Sequence, residues 1–311
     1  MSKIIRLLTA ETGLPTHDVR AIINRAPISY KHYTIKKRSG ADRPIAQPAR
    51  EVKRLQKILM GFLSDLPVHS AATAYAPGAS IKDNAERHAK NGPILKFDFT
   101  NFFTSIRERD WKNYCAKYNL FDDPDDVTLS TKLFFCRVPG STLLRLAIGA
   151  PSSPWLSNVL MYEFDDLISR RVRQDQVTYT RYADDLTFSA RRTGYLTRVE
   201  KILNRTLSEM ENPRLTLNQE KTVLATMKYR RVVTGLVLAN DGRVTLGRER
   251  KRRIRAALHS AFAGKLDAEA MTRLAGMLAF VKSVEPEFFE QIAARYGENV
   301  ISKLAGSQSQ L

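Results

Sequence analysis

The sequence predicts an α+β fold, with a mixed body over residues 1–240 and a helical segment over 241–311. The body combines strand-like alternation, as in residues 177–189, with helical periodicity, as in residues 50–66, whereas the last part shows helical spacing alone. The chain has 311 residues, of which 43% are hydrophobic. This length suits about two domains, and the composition supplies enough apolar side chains for a core.

The first elements of the body are short helices and a basic hairpin. Helices are expected over residues 1–28, with Thr16 as an N-cap. Residues 31–47 alternate around Ser39-Gly40 and are predicted to form a β-hairpin whose tip and arms are basic. The helices predicted next cover residues 50–66 and 80–90.

The middle of the body is predicted to contain strands, a loop and one long helix. Residues 93–99 are mostly apolar and predict a strand, and residues 177–189 alternate strongly and predict β structure. The acidic segment 121–128, FDDPDDVT, is predicted to be a loop. Residues Trp155–Arg171 carry apolar side chains at helical spacing and are predicted to form a single helix.

Helical spacing dominates the C-terminal part of the chain. Ile254, Leu258 and Phe262, for example, repeat at intervals of four and would lie on one helix face. The further helices are predicted over residues 194–211, 248–262, 267–282 and 286–304. The further short strands are predicted around residues 215–217, 222–226 and 232–238.

The charge of the chain indicates a polyanionic partner. Its 50 Lys and Arg residues against 32 Asp and Glu residues leave a net charge of +18, and nucleic acid is the usual partner of such a surplus. No apolar run approaches the roughly 18 residues of a membrane span, so no membrane contact is expected. Cys115 and Cys136 cannot by themselves form a disulfide framework or a Cys-rich zinc site, and a reducing cytoplasm is the expected location.

Carboxylates interrupt the apolar pattern in two places. Asp98 lies in a strand that is otherwise mainly apolar, where a lone charge is costly unless it is paired or bound to a metal. Asp184 and Asp185 are adjacent like charges at the centre of an alternating segment. A divalent cation would compensate them. The alternative is that the pair are surface turn acids and that Asp98 is buried in an ion pair.

Mg²⁺ is the cation that suits such a set of carboxylates. It takes few protein carboxylates and completes its shell with water and substrate phosphate. Two such ions held roughly 3.5–4 Å apart can activate a 3′-hydroxyl and stabilise a leaving pyrophosphate. The expected cofactor is therefore Mg²⁺, with two ions at one site.

Four motifs follow one another along the chain: FDFTNFF (97–103), GAPSSP (149–154), TRYADD (180–185) and LTLNQEKT (215–222). The motifs and their order resemble those of the reverse transcriptases, specifically those of the bacterial retron type. The resemblance covers about residues 30–240, and four ordered motifs are far more specific than the Tyr-Ala-Asp-Asp sequence alone. Two further segments, residues 84–88 and 233–235, are similar to the Asn-Ala-x-x-His and Val-Thr-Gly signatures of retron enzymes.

The resemblance implies a right-hand polymerase fold with fingers, a ferredoxin-like palm built on an antiparallel sheet, and a helical thumb. Residues 1–92 would form N-terminal helices and fingers. Residues 93–240 would form the palm with interspersed fingers elements, and residues 241–311 the thumb, which would also bind RNA. One position departs from the family: Ile148 stands where most relatives have a glutamine, so no contact made by that glutamine is transferred.

The resemblance also assigns roles around the carboxylates. Asp98, Asp184 and Asp185 would be the catalytic metal ligands, and the backbone carbonyl of Phe99 could also face a metal. Phe103 would lie under the sugar, where its ring would collide with a ribose 2′-hydroxyl and favour deoxynucleotides. The alternative for Phe103 is a place in the core.

Three basic residues are candidates for binding the triphosphate. Arg43 and Lys37 of the hairpin could hold it, because cationic side chains, and guanidinium groups above all, match phosphate. Lys221 could protonate or support the leaving pyrophosphate. The alternatives are a solvated basic loop for the first two and a surface lysine for the third.

The candidates for contact with nucleic acid lie in the two signatures and in a basic segment. Asn84 and His88 are expected to position RNA, and Thr234 and Gly235 to shape a turn against it or a strand end. Residues 228–255 carry ten Lys or Arg residues against two acidic ones, a charge ratio typical of a surface that tracks phosphates. The residues chosen from this segment are Arg248, Arg250, Arg252 and Arg253.

The resemblance implies a specific activity. The enzyme would copy part of its cognate structured non-coding RNA into branched, RNA-linked single-stranded DNA (msDNA), using dNTPs and starting from a 2′-hydroxyl of a guanosine. Retrons act in defence against phage, usually with an effector protein encoded nearby. A host ribonuclease H would remove the template.

Three alternatives remain open. A reverse transcriptase of another lineage, such as the group II intron type, would usually carry extra maturase or endonuclease segments, for which 311 residues leave little room. A non-catalytic RNA-binding protein on a polymerase scaffold predicts the loss of a carboxylate, yet all three are present. An RNA-dependent RNA polymerase is disfavoured by Phe103.

Overall fold

The computed structural model describes residues 2–37, 40–76, 78–297, 299 and 301. Ser39 of the predicted hairpin turn, its neighbour Arg38 and most of the end of the helix predicted over 286–304 lie outside the described residues. The chain divides into two compact units. Unit 1 comprises Met1–Ala79, Leu95–Phe188 and Gly194–Val223, and unit 2 comprises Ser80–Ile94, Ser189–Thr193 and Leu224–Leu311.

Helices and strands alternate along the chain, which confirms the predicted α+β class. The helices are α1 Lys3–Thr12, α2 Thr16–Arg25, α3 Arg50–Phe62, α4 Ile81–Ala89, α5 Phe102–Ser105, α6 Glu108–Lys117, α7 Pro124–Phe134, α8 Ser152–Leu160, α9 Tyr162–Arg173, α10 Val199–Glu209, α11 Arg248–Phe262, α12 Ala268–Val284 and α13 Pro286–Tyr296. The strands are β1 Tyr30–Lys36, β2 Asp42–Pro48, β3 Ile94–Asp98, β4 Cys136–Arg137, β5 Leu144–Arg145, β6 Thr178–Tyr182, β7 Asp185–Ser189, β8 Val223–Ala225, β9 Arg231–Val233, β10 Leu236–Leu238 and β11 Val244–Thr245.

The acidic segment 121–128 was predicted to be a loop, and this prediction is wrong for its second half. Helix α7 begins at Pro124, and the Asp123 side chain accepts a hydrogen bond from the N–H of Asp125 as its N-cap. Asp followed by Pro is a helix start, because proline has no N–H to leave unpaired in the first turn. Buried Asp126 accepts hydrogen bonds from the N–H groups of Lys3 and Ile4, at 2.9 and 3.2 Å. This carboxylate thereby stabilises the N-terminus of α1.

Two helix boundaries also differ from the predictions. The helix predicted over Trp155–Arg171 is divided into α8 and α9 at Met161, which falls at the end of α8 with a φ of −90° and a ψ of 1°. Apolar spacing continues through this bend, so periodicity alone does not reveal it. Thr16 is the first residue of α2 rather than its N-cap, which is Pro15 without a side-chain hydrogen bond.

Unit 1 is built around helices and around strands β6, β7 and β3, which are neighbours in that order in one sheet. Trp111 of α6 is fully buried, donates a hydrogen bond to the Ser130 hydroxyl at 3.0 Å and packs edge-on against Phe134. Strands β1 and β2 form the predicted hairpin, with register from Tyr30↔Pro48 to Lys36↔Asp42.

Unit 2 has its own core. Helices α11, α12 and α13 pack their apolar faces onto α4 and the small sheet β11-β10-β9, as the spacing of Ile254 and Leu258 predicts. Arg231 of β9 is 1% exposed, and its guanidinium donates to the carbonyl oxygens of Gly92, at 2.6 Å, and of Ala239, at 3.0 Å. These bonds compensate the burial of the charge.

Both cysteines are buried and free. Burial raises the pKa of the Cys115 thiol to about 12 and that of the Cys136 thiol to about 11. Neither thiol is therefore a ready nucleophile or metal ligand near neutral pH.

Within the described part of the chain, no helix combines the length and the apolar character that crossing a membrane requires. The boundaries of fingers, palm and thumb stay predictions, because the division into two units follows backbone contacts and does not identify these parts.

Candidate active site

The three aspartates meet where β3 ends and β7 begins. Strands β3 and β7 are neighbours in the sheet, which places Asp98 beside the turn that carries Asp184 and Asp185. The N–H of Phe99 donates to the carbonyl oxygen of Asp184 at 3.1 Å. The carbonyl oxygen of Asp98 in turn accepts from the N–H of Asn218 at 2.7 Å. Three of the four motifs recognised in the sequence are thus joined by backbone hydrogen bonds.

The turn between β6 and β7 is tight and strained. Ala183 has a φ of +56°, in the left-handed region that residues with a Cβ seldom occupy. Its carbonyl oxygen accepts a hydrogen bond from Nη1 of Arg181 at 3.2 Å. Arg181 is itself fully buried and forms an ion pair with Asp165, with Nη2 and Oδ2 2.6 Å apart. This buried pair supports the turn from inside the fold.

The carboxylates of the turn repel one another and Asp98. Burial and then the charge of Asp98 raise the pKa of Asp184 above its usual value. Burial also raises the pKa of Asp185, an effect that nearby Lys96 opposes and Asp98 reinforces by charge and by a side-chain hydrogen bond. The three acids are therefore close enough to interact strongly, and a cation among them would relieve their repulsion.

Lys221 compensates part of this negative charge. Its Nζ donates to Oδ1 of Asp98 at 2.7 Å, and its side chain is 55% exposed. The hydrogen bond to Asp98 is the main reason why the pKa of Lys221 is raised. The lysine that sequence reasoning singled out therefore lies at the carboxylates and is protonated at neutral pH.

The donor set fits a hard divalent cation, although it does not form a closed shell. Among the residues that the structure describes, no three His, Cys, Asp or Glu side chains are arranged as a ready metal-binding group. Mg²⁺ does not need one, because it retains water and substrate oxygens and takes only one or two carboxylates. The carboxylates of Asp98, Asp184 and Asp185 supply the oxygen ligands that Mg²⁺ prefers.

Aromatic rings line the site next to the carboxylates. Phe103 lies in α5 and is partly exposed, whereas its neighbour Phe102 is 3% exposed and belongs to the core. The ring of Tyr75 lies with its centroid 6.5 Å from that of Phe103 and 6.5 Å from that of Tyr182. These distances are within the range of aromatic contacts.

Tyr75 is the residue of this site that sequence reasoning missed. It is 51% exposed, and burial followed by the nearby Tyr182 and Asp184 raises the pKa of its hydroxyl, while Arg43 lowers it. No pattern in the sequence distinguishes Tyr75, because it follows a short run of small residues without helical or strand periodicity. Its neighbours in space come from three distant segments of the chain.

The structure places one of the two hairpin cations near Tyr75. Arg43 of β2 is exposed and near enough to Tyr75 to affect its pKa. Lys37 is also exposed and lies in the connection after β1, where its N–H donates to the carbonyl oxygen of Ala41 at 2.8 Å. Lys36, next to it, is paired with Asp42 at 2.5 Å.

The loop at the unusual Ile148 contacts this hairpin through its backbone. The carbonyl oxygen of Ile148 accepts from the N–H of Ala46 at 2.8 Å. Gly149 has a φ of +121°, and a Cβ at this position would lie 3.0 Å from the carbonyl oxygen of Ala46. The glycine therefore permits the loop to approach β2 closely. This contact is made by the backbone of Ile148 and not by its side chain.

Unit 2 contains the two retron-like signatures, and they pack together. Asn84 and His88 lie on α4, and the exposed fractions of their side chains are only 1% and 0%. The Nδ1 atom of His88 is 2.7 Å from the hydroxyl of Ser189. Neither amide atom of Asn84 has a hydrogen-bond partner among the described residues. Contact of RNA with either side chain would require this packing to open, so the predicted RNA contact stays a prediction.

The second signature forms the turn between β9 and β10. Thr234 and Gly235 have φ angles of +47° and +81°, and Val233 pairs with Leu236 across the turn. The Thr234 hydroxyl donates to the carbonyl oxygen of Ile81, at the start of α4, at 2.9 Å. A β-branched residue in the left-handed region is strained, and this hydrogen bond attaches the strained turn to the helix of the first signature.

The four arginines chosen from α11 have different surroundings. Arg253 is paired with Glu249, and the guanidinium of Arg250 lies 5.3 Å from the centre of the Phe280 ring. Arg248 and Arg252 are exposed, and within the described ranges no carboxylate pairs with them. Of the four arginines, these two therefore have the guanidinium groups that are most accessible to a phosphate.

A comparison with protein-family models matches residues 35–254 to "Reverse transcriptase (RNA-dependent DNA polymerase)". The matched range contains Asp98, the Asp184-Asp185 turn and Lys221. It covers more than half of the chain, and it supports the right-hand polymerase fold.

Similar proteins include several retron enzymes. The chain is 35% identical over 299 residues to the Retron Ec83 reverse transcriptase of Escherichia coli, covering 95% of this chain and 96% of the relative. It is 31% identical over 309 residues to the Retron Ec73 reverse transcriptase of the same organism, covering 96% of each chain.

The solved structures that resemble the chain include a telomerase and a viral protease-reverse transcriptase. A telomerase from Candida albicans in complex with a fragment of telomeric RNA has a TM-score of 0.49 and 13% identity, over 86% of this chain and 56% of that chain. A foamy viral protease-reverse transcriptase in complex with double-stranded DNA has a TM-score of 0.47 and 12% identity, over 89% and 43%. The chain thus spans about half the length of each.

Proposed function

Since this chain belongs to the reverse transcriptase family and is an RNA-directed DNA polymerase of the retron type, we propose that it copies part of a cognate structured non-coding RNA into branched, RNA-linked single-stranded DNA. The observation that carries this proposal is the convergence of Asp98 with Asp184 and Asp185 beside Phe103 and Tyr75. Near-full-length similarity to retron enzymes favours the branched product over the product of a mobile intron.

Asp98, Asp184 and Asp185 are the proposed ligands of two Mg²⁺ ions, and the carbonyl of Phe99 is a further candidate. When bound, Mg²⁺ supplies Lewis acidity that favours ionisation of the attacking hydroxyl and charge on the leaving pyrophosphate. The role of the chain itself is to fix the carboxylates. The hydrogen bond from Phe99 to Asp184 and the support of Ala183 by Arg181 hold them in place.

The incoming dNTP is proposed to lie between the aromatic rings and the basic hairpin. Phe103 limits the space next to C2′ of the sugar and so excludes ribonucleotides. Arg43 and Lys37 bind the triphosphate, for which their exposure and charge suit them. Lys221, protonated and beside Asp98, donates a proton or a hydrogen bond to the pyrophosphate as it leaves.

Unit 2 is proposed to bind RNA. Arg248, Arg250, Arg252 and Arg253 of α11 supply contacts to phosphates, which position nucleic acid without reading its sequence. The two signatures, one on α4 and one on the β9–β10 turn, are joined by the hydrogen bond from Thr234 to Ile81. Together they are proposed to shape the surface that recognises the cognate RNA. In the terms of the right-hand fold, residues 1–92, 93–240 and 241–311 are the proposed fingers, palm and thumb.

Synthesis is proposed to start from a 2′-hydroxyl of a guanosine in the same RNA, which makes the product branched. A host ribonuclease H removes the copied template, and the RNA–DNA product acts with a neighbouring effector protein in defence against phage, in the cytoplasm. These parts of the proposal rest on the similarity to retron enzymes.

The decisive experiment examines the nucleic acid that purifies with the protein. The gene would be expressed with its upstream flanking DNA, and the isolated nucleic acid would be treated with ribonuclease, with deoxyribonuclease and with a debranching enzyme specific for 2′,5′ linkages. A DNA that shifts in size after debranching, and that is missing when Asp184→Asn replaces the wild type, is the expected result.

Two outcomes would contradict the proposal. A linear DNA that debranching leaves unchanged would remove 2′-hydroxyl priming and favour a reverse transcriptase of another lineage. The same branched DNA from the Asp184→Asn protein would remove the assigned site. A short inverted-repeat RNA encoded upstream of the gene would independently support the retron assignment.

A further inference from the structure

Tyr75 combines a strained backbone with an exposed aromatic side chain. Its φ is +62°, in the left-handed region, and its side chain is 51% exposed. A non-glycine residue in this region is strained and persists only where the surroundings enforce it. An exposed aromatic ring gains little stability from burial, so packing of this ring does not explain the strain.

The segment before Tyr75 is fixed to the catalytic hairpin. Residues 71–74 are all at most 4% exposed. The N–H of Arg181 donates to the carbonyl oxygen of Ala71 at 2.7 Å, and the N–H of Thr73 donates to the carbonyl oxygen of Arg181 at 2.8 Å. Ala72 and Arg181 form an isolated parallel bridge. This segment thus adds to the edge of β6 three residues before Asp184.

A buried polar network fixes the position of Ala74, the last residue before Tyr75. Asn158 of α8 is 2% exposed, and its Nδ2 donates to the carbonyl oxygen of Ala74 at 2.8 Å. Its Oδ1 accepts from Nη1 of Arg181 at 3.1 Å, and the same Nη1 donates to Ala183 at 3.2 Å. Asp165 holds the other side of the guanidinium, with Nε 2.9 Å from Oδ1. One buried arginine therefore connects the peptide before Tyr75 to the turn before the catalytic aspartates.

We propose that Tyr75 contacts the nucleobase at the polymerisation site, and that Asn158 is a positioning residue that holds the Tyr75 ring against Phe103 and Tyr182. This inference rests on the proposed function, because it deepens the account of the same site. The rings of Tyr75 and Phe103 are inclined by 54°, with centroids 6.5 Å apart. Together with Tyr182 they form an aromatic wall beside Asp184.

The ligand of this wall is a base rather than a phosphate or a sugar hydroxyl. Every nucleobase has a π-face, so an exposed aromatic ring binds all four bases with little preference, as a copying enzyme requires. Arg43 lies near Tyr75 and supplies charge for phosphate. The nucleobase could belong to the incoming dNTP or to the template, and the two sources predict different kinetic effects.

The test measures single-nucleotide extension of an RNA template with a DNA primer. Tyr75→Ala is expected to raise KM by roughly 5- to 100-fold, the change that loss of one base–aromatic contact produces. If the base is that of the dNTP, KM for the dNTP rises. If it is that of the template, KM for the primer–template rises and mismatched dNTPs are used more readily. Tyr75→Phe keeps the ring and is expected to raise KM less than Tyr75→Ala does.

The matched control is Tyr195→Ala. Tyr195 is also an exposed tyrosine of unit 1, at 40%, and is not among the residues of the proposed site. It is expected to leave both KM values unchanged. If Tyr75→Ala has the same KM values and fidelity as the wild type, while the wild type synthesises DNA, the inference is overturned and the proposed function stands. If the wild type makes no DNA from RNA, the proposed function fails first.

Asn158→Asp tests the positioning role. It keeps the oxygen that accepts from Arg181 and removes the N–H donor to Ala74. The KM that rises in Tyr75→Ala, for the dNTP or for the primer–template, is expected to rise in Asn158→Asp as well. The change in kcat is expected to be smaller than the change in KM. In a double-mutant cycle, Asn158→Asp added to Tyr75→Ala is expected to give no further rise in KM, because both changes remove one interaction. Additive effects would overturn the positioning role, and thermal unfolding would identify a variant that fails to fold.

Discussion

The ammonium group of Lys221 lies 2.7 Å from Oδ1 of Asp98. The two residues are 123 positions apart, and the hydrogen bond joins the last recognised motif to the first. It provides one positive charge to a group of three repelling carboxylates. A divalent cation would compete with Lys221 for the same oxygen, so metal binding would leave the lysine able to approach a leaving pyrophosphate.

Replacement of Lys221 tests whether this lysine, which pairs with Asp98, also acts on the leaving pyrophosphate. Lys221→Gln is expected to lower kcat for nucleotide addition by about 100-fold, the lower end of the range for general acid catalysis. Lys221→Arg keeps the charge and is expected to retain more activity. Rapid-quench measurements of a single addition give kcat, and Lys201→Gln on α10 is the control. A kcat for Lys221→Gln equal to that of the control would show that Lys221 is only a surface lysine.

Asp184→Asn and Asp185→Asn are each expected to abolish DNA synthesis and to leave RNA affinity nearly unchanged. The reason is that each removes a charge of the proposed metal site in unit 1, whereas the proposed RNA-binding arginines lie in unit 2. Primer extension and filter binding measure the two properties on one preparation. Asp166→Asn, which removes a carboxylate paired with Arg170 instead, is the control. Retained synthesis in both site variants would remove the two-metal assignment.

Phe103→Ala is expected to admit ribonucleotides. In the proposed site the ring limits the space at C2′, and its loss is expected to reduce the preference for dGTP over GTP by at least about tenfold. The ratio of kcat/KM for the two nucleotides gives the preference. Phe62→Ala removes a phenylalanine that is 49% exposed elsewhere in unit 1 and serves as the control. An unchanged ratio would reject the steric role of Phe103.

The repulsion among the aspartates predicts a pH-dependent change in stability. The pKa of Asp184 is raised by burial and by Asp98, so its ionised form destabilises the folded protein. In metal-free buffer at neutral pH, Asp184→Asn is therefore expected to unfold at a higher temperature than the wild type. The difference is about 2–4 °C for each kcal/mol of repulsion removed.

The sign of this effect is set by the direction of the shift. The stabilisation is present above the raised folded-state pKa and disappears as pH falls towards the usual value of roughly 3.9, where the wild-type carboxyl is also neutral. Addition of Mg²⁺ is expected to raise the midpoint of the wild type more than that of the variant. Calorimetry at several pH values with EDTA or Mg²⁺ measures both effects. Equal midpoints for the two proteins throughout would show that the acids do not repel one another.

Arg248 and Arg252 of α11 are expected to control the salt dependence of RNA binding. Arg248→Gln with Arg252→Gln removes two cations that form no ion pair with any carboxylate of the described residues. The slope of log affinity against log salt is expected to fall by roughly 1.4–1.8, because each phosphate contact contributes about 0.7–0.9. Arg170→Gln with Arg205→Gln removes the same charge from residues paired with Asp166 and Glu209. An equal loss of slope in both pairs would mean that net charge alone acts.

Much of the secondary structure could be predicted from the sequence because it is local. The bounds predicted for the helix over 248–262 agree with those of α11, since Ile254 and Leu258 repeat at the helical interval. The basic hairpin was also predicted correctly from alternation. The helix that begins at Pro124 was missed although Asp123-Pro124 is a local start signal. What the sequence could not show is that the buried carboxylate of Asp126 is satisfied by the N-terminus of α1, more than 120 residues earlier.

The sequence by itself determined which aspartates meet, because their order and the residues around them match a family in which they do. It could not identify Tyr75, the pairing of Lys221 with Asp98, or the burial of Asn84 and His88. Each of these depends on distances between segments that are far apart in the chain, and residue spacing carries no information about such distances. Only the tertiary structure, through the backbone contacts around Arg181 and the packing of α4, decided where these side chains lie.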